Sequence, residues 1–361
     1  MKHRTHTYIV QTQPGFEAIA AEELRDLVPG TTEHSTRSIA DKNGMLLFNY
    51  AGDPQDLFEL RTVEDIFIQV ARIPNLPPSV AGLRMLRDIT LSAQIEPALQ
   101  IARQIAPGRG GRGRIRFRVV SRQVGRTAYR RVDAQNTVER AIMARSDHRW
   151  GLEQEGALEF WLTLLPKEAI LALRLSDERM RHREYKFEHM PASLRPTAAA
   201  ALVWLTRPQN NDVFLDPMCG AGTTLIERAH AGRYAQLYGG DIREEALKLA
   251  RSNIGTRYQP IEIQQWDARN LPLDAGSISA ATVNLPFGQQ IGSVQENNAL
   301  YPAVLRELTR VLRPGARLAA LTGDRRNIDS ALRRSHGLQL RKIYPVQLLG
   351  RPAAVYVIER T

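Results

Sequence analysis

Within five residues, Asn284-Leu285-Pro286-Phe287-Gly288 brings together a side-chain amide, a carbonyl fixed by the proline after it, and an aromatic ring. An exocyclic amine on a base is planar because its lone pair is delocalised into the ring. Methyl transfer to that amine requires the nitrogen to be drawn toward tetrahedral geometry. The Asn284 side-chain oxygen and the Leu285 carbonyl, held extended by Pro286, supply two acceptors that can do this. Phe287 offers a face on which a flipped-out base can stack, worth about 1–3 kcal/mol. The amine proton becomes acidic only as positive charge develops, so no His or Glu is needed in the motif. Alone, the same five residues would also serve as an ordinary strand-to-turn sequence, and their neighbours decide between the two.

The second chemical segment is Asp216-Pro217-Met218-Cys219-Gly220-Ala221-Gly222-Thr223. Gly220 and Gly222 remove side chains where backbone must approach a ligand. The helix start behind them, at Thr223, suits a carboxylate, and Asp216 suits an ammonium group. Those are the two ends of the methionine part of S-adenosylmethionine. Leu225 stands where a dinucleotide loop carries its third glycine, which argues against a nicotinamide oxidoreductase. Asp241 follows Gly222 by 19 residues (241 − 222) and is placed to accept from ribose hydroxyls, with Ile242 to pack on adenine. Asp267 is expected to end the third strand and hold the adenine amino group, beside the Ala268 backbone. Each acid alone would serve equally as a strand-end turn or helix cap. Three at successive strand ends beside a glycine turn point to a cofactor site.

Those positions require a framework of strands with their carboxyl ends aligned. From residue 191 onward, strands are expected at 212–216, 236–241, 261–268, 278–285 and 317–323, separated by helix-length segments. That rhythm predicts a doubly wound, mostly parallel α/β sheet. Segments 338–347 and 353–359 are joined by a turn too short for a crossover helix and should pair antiparallel. The first half mixes helices and strands without a nucleotide loop and reads as a pair of small α+β subdomains. It has strands at 7–11, 44–50, 64–73, 114–120, 157–165 and 169–175, and a long helical pattern after the proline-rich break at 73–79 that ends near 105. The charged run 176–190 reads as a connector.

Composition narrows the partners. The 361 residues carry a formal net charge of +11, which favours a polyanionic partner. From Pro97 through Val132 there is no Asp or Glu but there are ten arginines, and in RGRIRFRV they alternate with Ile115, Phe117 and Val119. A strand there would bury the apolar set and line one face with guanidinium groups, so Arg109, Arg112, Arg114, Arg116, Arg118 and Arg122 are candidates to grip RNA phosphate. A solvated edge strand protected by charge is the competing reading. The single cysteine, Cys219, and the scattered histidines offer no metal site. The longest apolar run is far short of a membrane span, and the sequence reads as cytoplasmic.

Together, these residues resemble the class I methyltransferases that act on amino nitrogens of bases, and more closely the THUMP-domain RNA methyltransferases. Besides the two motifs, the matching segments are PGFE near the start, LRTVEDIF, FRVVSRQ and HREYKFEHMPASLRPTAAAAL. The resemblance implies an N-terminal ferredoxin-like subdomain at 1–62, a THUMP RNA-binding domain at 63–176, a linker at 177–190 and a methyltransferase domain at 191–361. It implies S-adenosylmethionine as cofactor, N2-methylguanosine in tRNA as product, position 6 as target, and a monomer. It places Pro196 and Thr197 near the methionine end of the cofactor. Many relatives carry a second proline where Leu285 stands, which leaves another RNA, or an adenine or cytosine amine, open as target. A cofactor-binding RNA chaperone without activity is the further alternative.

Overall fold

The computed structural model describes residues 4–39, 43–111, 113–188, 193–288 and 294–361. Contacts divide the chain into two units, Met1–Thr12 with Leu24–Met180, and Gln13–Glu23 with Arg181–Thr361. In chain order the first half contains β1 (His6–Thr12), α1 (Glu17–Leu27), β2 (Thr32–Ile39), β3 (Asn43–Tyr50) and β4 (Asp65–Pro74). It continues with α2 (Val80–Ser92), α3 (Glu96–Ile105), β5 (Arg114–Gln123), α4 (Arg131–Met143), β6 (Arg149–Leu152), β7 (Leu158–Leu164) and β8 (Glu168–Arg174).

The strands of the first unit form one sheet in the order β2-β3-β1-β4-β8-β7-β5-β6. The expected alternation in β5 is present: Ile115, Phe117, Val119 and Ser121 are buried and the residues between them are not. Phe117 packs edge-on against Trp150 and Phe160, which fixes the buried face of the strand. At the centre of the sheet, buried Arg174 on β8 bonds Asp65 on β4 (Nε to Oδ1 2.7 Å) and Glu159 on β7 (3.2 Å). A charge there is tolerable because both acids meet it directly.

Three elements differ from the sequence expectation. β2 (TEHSTRSI) is too polar to alternate, and it forms as an edge strand with β3 as its single neighbour. The pattern running to residue 105 is two helices, because Ala93 is extended (φ −62°, ψ 139°) and Pro97 stands in the first turn of the second. β6, only four residues long, pairs with β5 over Arg114–Phe117 and lay below the length that periodicity can detect.

The second unit contains α5 (Pro196–Leu205), β9 (Val213–Asp216), α6 (Thr223–His230), β10 (Gln236–Asp241), α7 (Glu244–Ile254), β11 (Ile261–Gln265) and β12 (Ile278–Asn284). α8 (Val294–Val311), β13 (Leu312–Thr322), α9 (Arg325–Arg334), β14 (Leu338–Leu348) and β15 (Arg351–Arg360) complete it. The sheet order is β11-β10-β9-β12-β13-β15-β14. β9 to β13 run parallel, and β15 pairs antiparallel with both β13 and β14, as the short connection requires. The order reverses between β9 and β12, so the crevice past their carboxyl ends is the place where such sheets bind ligands. Among the described residues no helix is long and apolar enough to cross a membrane. Nor does any group of three or more His, Cys, Asp or Glu among them converge as a metal site.

Candidate methyl-transfer site

The turn after β9 is held from all sides. Gly222 sits at φ +78°, and a Cβ there would come within 3.2–3.3 Å of Ile254 and Ala250, so glycine is needed for both conformation and space. The Cys219 amide donates to the Gly240 carbonyl (2.8 Å), the Gly220 amide to Asp241 Oδ2 (3.1 Å), and Asn253 Nδ2 to the Ala221 carbonyl (3.1 Å). Trp266 Nε1 donates to the Pro217 carbonyl (3.0 Å). Thr223 opens α6 and is buried.

Asp216 ends β9 and is buried. It accepts from the Thr224 hydroxyl and from the Met218 amide (3.1 Å). Burial pushes its carboxyl up to about 7, helped by the nearby Asp241, although the Thr224 and Met218 hydrogen bonds oppose the shift. Its partners are a hydroxyl and an amide, neither of them charged. The Cys219 thiol is pushed up by burial and by the charges of Asp216 and Asp241, so it stays a neutral packing residue.

Asp241 ends β10, where Oδ1 accepts from the Arg243 amide (3.1 Å) and Nε (3.3 Å). Ile242 beside it is exposed. Asp267 lies two residues beyond the end of β11 rather than closing it. There its carbonyl accepts from the Asn270 amide, and hydrogen bonds from Arg269 hold its carboxyl below the usual range. Ala268 is buried next to it. Pro196 and Thr197 are the first residues of α5, both buried, and Thr197 Oγ1 accepts from Gln13 Nε2 (2.9 Å).

Asn284 is the last residue of β12. Its Oδ1 is buried and has no hydrogen-bond partner among the described residues. A buried acceptor without a partner costs about 1–3 kcal/mol, which makes this oxygen a candidate contact for a ligand. Leu285 is buried, and its amide donates to the Leu321 carbonyl (3.0 Å), which extends the pairing with β13 by one residue. The Pro286 carbonyl, in contrast, is doubly held by Tyr301 Oη (2.6 Å) and Asn297 Nδ2 (3.1 Å) from α8. Tyr301 also meets Thr322 Oγ1 (2.6 Å), and Asn297 also donates to Asp324 Oδ2 (3.0 Å). The Phe287 ring lies over Gly323, where a Cβ would come within 2.7 Å of it.

The fold therefore brings Asp216, Pro217, Gly220, Gly222 and Thr223 into one bonded turn that Asp241 at the end of β10 also holds, with Asn284 at the end of the adjacent strand β12 and Leu285–Phe287 just beyond it. Sequence reasoning missed Gln13, Thr224, Asn253, Trp266, Asn297, Tyr301, Thr322 and Asp324, which hold these groups in place. Asn297 and Tyr301 are four apart on one helical face, a spacing visible in the sequence but common enough to go unnoticed.

The arginines at and just before β5 are paired more fully than the sequence suggests. Arg109 donates to the Leu175 and Ser176 carbonyls (3.3 and 3.0 Å), and burial lowers its pKa. Arg118 pairs with Glu159 (2.5 Å) and reaches the Gln154 carbonyl. Arg122 donates to Gln11 (3.0 Å) and Asn43 (2.5 Å) and lies over the Trp161 ring. Arg114 reaches the Trp150 carbonyl at 3.4 Å, and Arg116 is 3.7 Å from Glu153. Arg112 lies outside the described residues. Each described arginine of the row thus already has a polar partner within its unit, the longest contacts being those of Arg114 and Arg116.

Residues 183–351 match the family described as RMKL-like, methyltransferase domain. Over 220 residues the chain is 36% identical to the tRNA (guanine(6)-N(2))-methyltransferase THUMP3 of Mus musculus, covering 56% of this chain and 43% of that protein. It is 27% identical to the tRNA (guanine(6)-N2)-methyltransferase of Thermus thermophilus over 97% of this chain and 98% of that one. The crystal structure of TrmN from Thermus thermophilus superimposes with a TM-score of 0.79 at 25% identity, covering 99% of this chain and all of that one. The match spans less than half of the mouse relative's length. The likeness to the RMKL-like methyltransferase domain thus covers residues 183–351, a little less than half of the chain.

Proposed function

We propose that the chain transfers the methyl group of S-adenosylmethionine to the N2 amine of a guanine in tRNA, at position 6. The observation that carries this reading is the buried, unpartnered Asn284 Oδ1 at the carboxyl end of β12, one strand from the glycine turn after β9. The mouse and Thermus relatives, tRNA (guanine(6)-N2)-methyltransferases by name, support guanine N2 and tRNA.

The residues of the turn fit the proposed cofactor. Asp216 is a buried acid whose partners carry no positive charge, which suits an ammonium, and the α6 start suits a carboxylate. Asp241 would take the ribose hydroxyls, Ile242 would cover the adenine, and Asp267 with Ala268 would face its edge. When bound, S-adenosylmethionine supplies an electrophilic methyl group. Asn284 Oδ1 and the Leu285 carbonyl accept from the target amine and localise its lone pair, and Phe287 supports the base. With a substituted amine as product, its proton can leave to solvent without a strong base.

Residues 1–62 are assigned as the ferredoxin-like part and 63–176 as the THUMP domain, with 177–190 as linker and 191–361 as catalytic domain. In the THUMP domain, Arg114 and Arg116 are the best phosphate contacts, because their internal contacts are long (3.4 and 3.7 Å) whereas Arg109, Arg118 and Arg122 are closely engaged. We assign a monomer working in the cytoplasm. Incubation with labelled S-adenosylmethionine and bulk tRNA, followed by nucleoside analysis, should yield N2-methylguanosine. Label found in ribosomal or small nuclear RNA alone, or as an adenine product, would replace the substrate assignment. No transfer to any RNA would sink the reading.

A further inference from the structure

The segment Gln13–Glu23 lies near the start of the sequence but groups with the second unit. Its attachment there is extensive. The Gln347 amide donates to the Pro14 carbonyl (2.9 Å). Gly15, at φ +87°, lies so close to β14 that a Cβ would come within 2.6 Å of Val346 Cα and 2.7 Å of the Pro345 carbonyl. Phe16 and Ile19 are buried in one core with Ala198, Ala201, Leu202 and Tyr344, and Phe287 packs on that same core. Glu22 receives hydrogen bonds from Lys342 (2.7 Å) and Tyr344 (2.8 Å). So tight a mounting leaves the first side chain of the segment, Gln13, little freedom.

Gln13 is buried, and its Nε2 donates to Oγ1 of Thr197, the second residue of α5, which is also buried. A hydroxyl that accepts from an amide turns its own proton elsewhere. Among the described residues nothing accepts that proton. The free donor stands in the first turn of a helix whose amide groups already favour an anion.

We propose that Gln13 is a positioning residue of the methyl-transfer site, aiming the Thr197 hydroxyl proton at the carboxylate of the cofactor's amino-acid end. The inference rests on the methyltransferase reading above. It gives the PGFE segment a role in cofactor binding that its distance in sequence from the catalytic motifs conceals. Gln13 touches no reacting atom and acts through Thr197.

Calorimetric titration of the full chain tests this with two probes, S-adenosylhomocysteine, which carries the amino-acid end, and 5′-methylthioadenosine, which lacks it. Gln13→Met, which keeps length but removes the donor, should weaken S-adenosylhomocysteine about tenfold, the effect of one hydrogen bond to a charged group. Methylthioadenosine affinity should not change. Gln13→Glu should weaken S-adenosylhomocysteine further, because a carboxylate would draw the Thr197 proton to itself. Thr197→Val should lose as much as Gln13→Met, and the double variant no more than either. Equal weakening of both probes would mean that Gln13 only supports the fold and would overturn the inference. So would unchanged binding of S-adenosylhomocysteine in Gln13→Met and Gln13→Glu. If the unaltered chain binds neither probe, the methyltransferase reading itself falls.

Discussion

The arginine strand and the turn after β12 both stand out in the sequence, and the fold treats them in opposite ways. In β5, charge is dense, yet Arg118 meets Glu159 and Arg122 meets Gln11, Asn43 and the Trp161 ring. After β12 charge is absent, yet Asn284 keeps a buried acceptor open, and one strand away Asp216 lies buried without a cation. Density of charged residues reports what the chain has to satisfy. Availability for a ligand is reported by the groups that the fold leaves unsatisfied.

The sharpest way to break this contrast is Asn284→Ala. If the open acceptor exists for the target amine, methyl transfer should fall by about a hundred- to a thousandfold, the effect of losing one aligned polar group at a reacting centre. The melting temperature should hold or rise, since a buried unpaired acceptor has been removed. Loss of activity together with loss of stability would make Asn284 a structural residue. Transfer and melting are measured on the same preparation.

Asp216 supplies a pH signature. Its carboxyl has an ordinary value of 3.8 and is raised to about 7 in the fold, so the folded state holds that proton more tightly. Its contribution to stability is full below the ordinary value and is lost as pH rises toward 7, by up to about 1.4 kcal/mol per pH unit. Urea unfolding of the wild type and Asp216→Asn at pH 5 and pH 8 checks this. The variant should gain on the wild type at the higher pH. A constant difference would show that Asp216 already has a compensating partner in the fold.

For β5 the prediction runs the other way. Arg118→Ala leaves Glu159 with Arg174 and the Trp161 indole as partners, and should cost about 1–2 kcal/mol of stability. Burial raises the Glu159 carboxyl, but the bonds from Trp161 and Arg118 and the charge of Arg174 outweigh it and hold the group below its usual range. The salt dependence of tRNA binding should be untouched. In Arg114→Glu/Arg116→Glu, stability should hold while the slope of log affinity against log salt falls by about 0.7–0.9 per lost phosphate contact. An unchanged slope in the double variant would remove β5 from the RNA surface altogether.

What the sequence made legible, and what it hid, follows the same division. Gly222, Asp241, Asn284 and Pro286 could be read because glycine, proline and strand-end acids act on backbone a few residues away. The antiparallel pairing of β14 and β15 was legible for the same reason, since a short turn leaves no room for a helix. The internal pairings of the arginines could not be read because their partners are remote: Arg122 meets residues 111 and 79 positions away. Gln13 escaped notice because Thr197 is 184 positions distant. β2 was missed because a polar edge strand needs no alternation, and the helix break at 93–95 because apolar spacing continues across it. Local backbone demands are written in residue type. Pairings between distant side chains are fixed only when the sheet order is known.

The smallest expected effect tests the contrast within the turn itself, where the Asn284 oxygen is open and the Pro286 carbonyl two residues later is held twice. Tyr301→Phe removes one of those two bonds and the link to Thr322 while keeping the ring in its core. If the Pro286 clamp orients Asn284 and the Leu285 carbonyl, kcat should fall by a factor of about 5, equivalent to ~1 kcal/mol, with KM for S-adenosylmethionine unchanged. Asn297 Nδ2 remains on the Pro286 carbonyl, which keeps the loss modest. A variant that lowers thermal stability alone, with kcat intact, would reduce the clamp to a packing contact. One that changes KM alone would move its influence from the acceptor pair to the cofactor turn. A fall in kcat alone would mean that the open acceptor works only because its neighbour is closed.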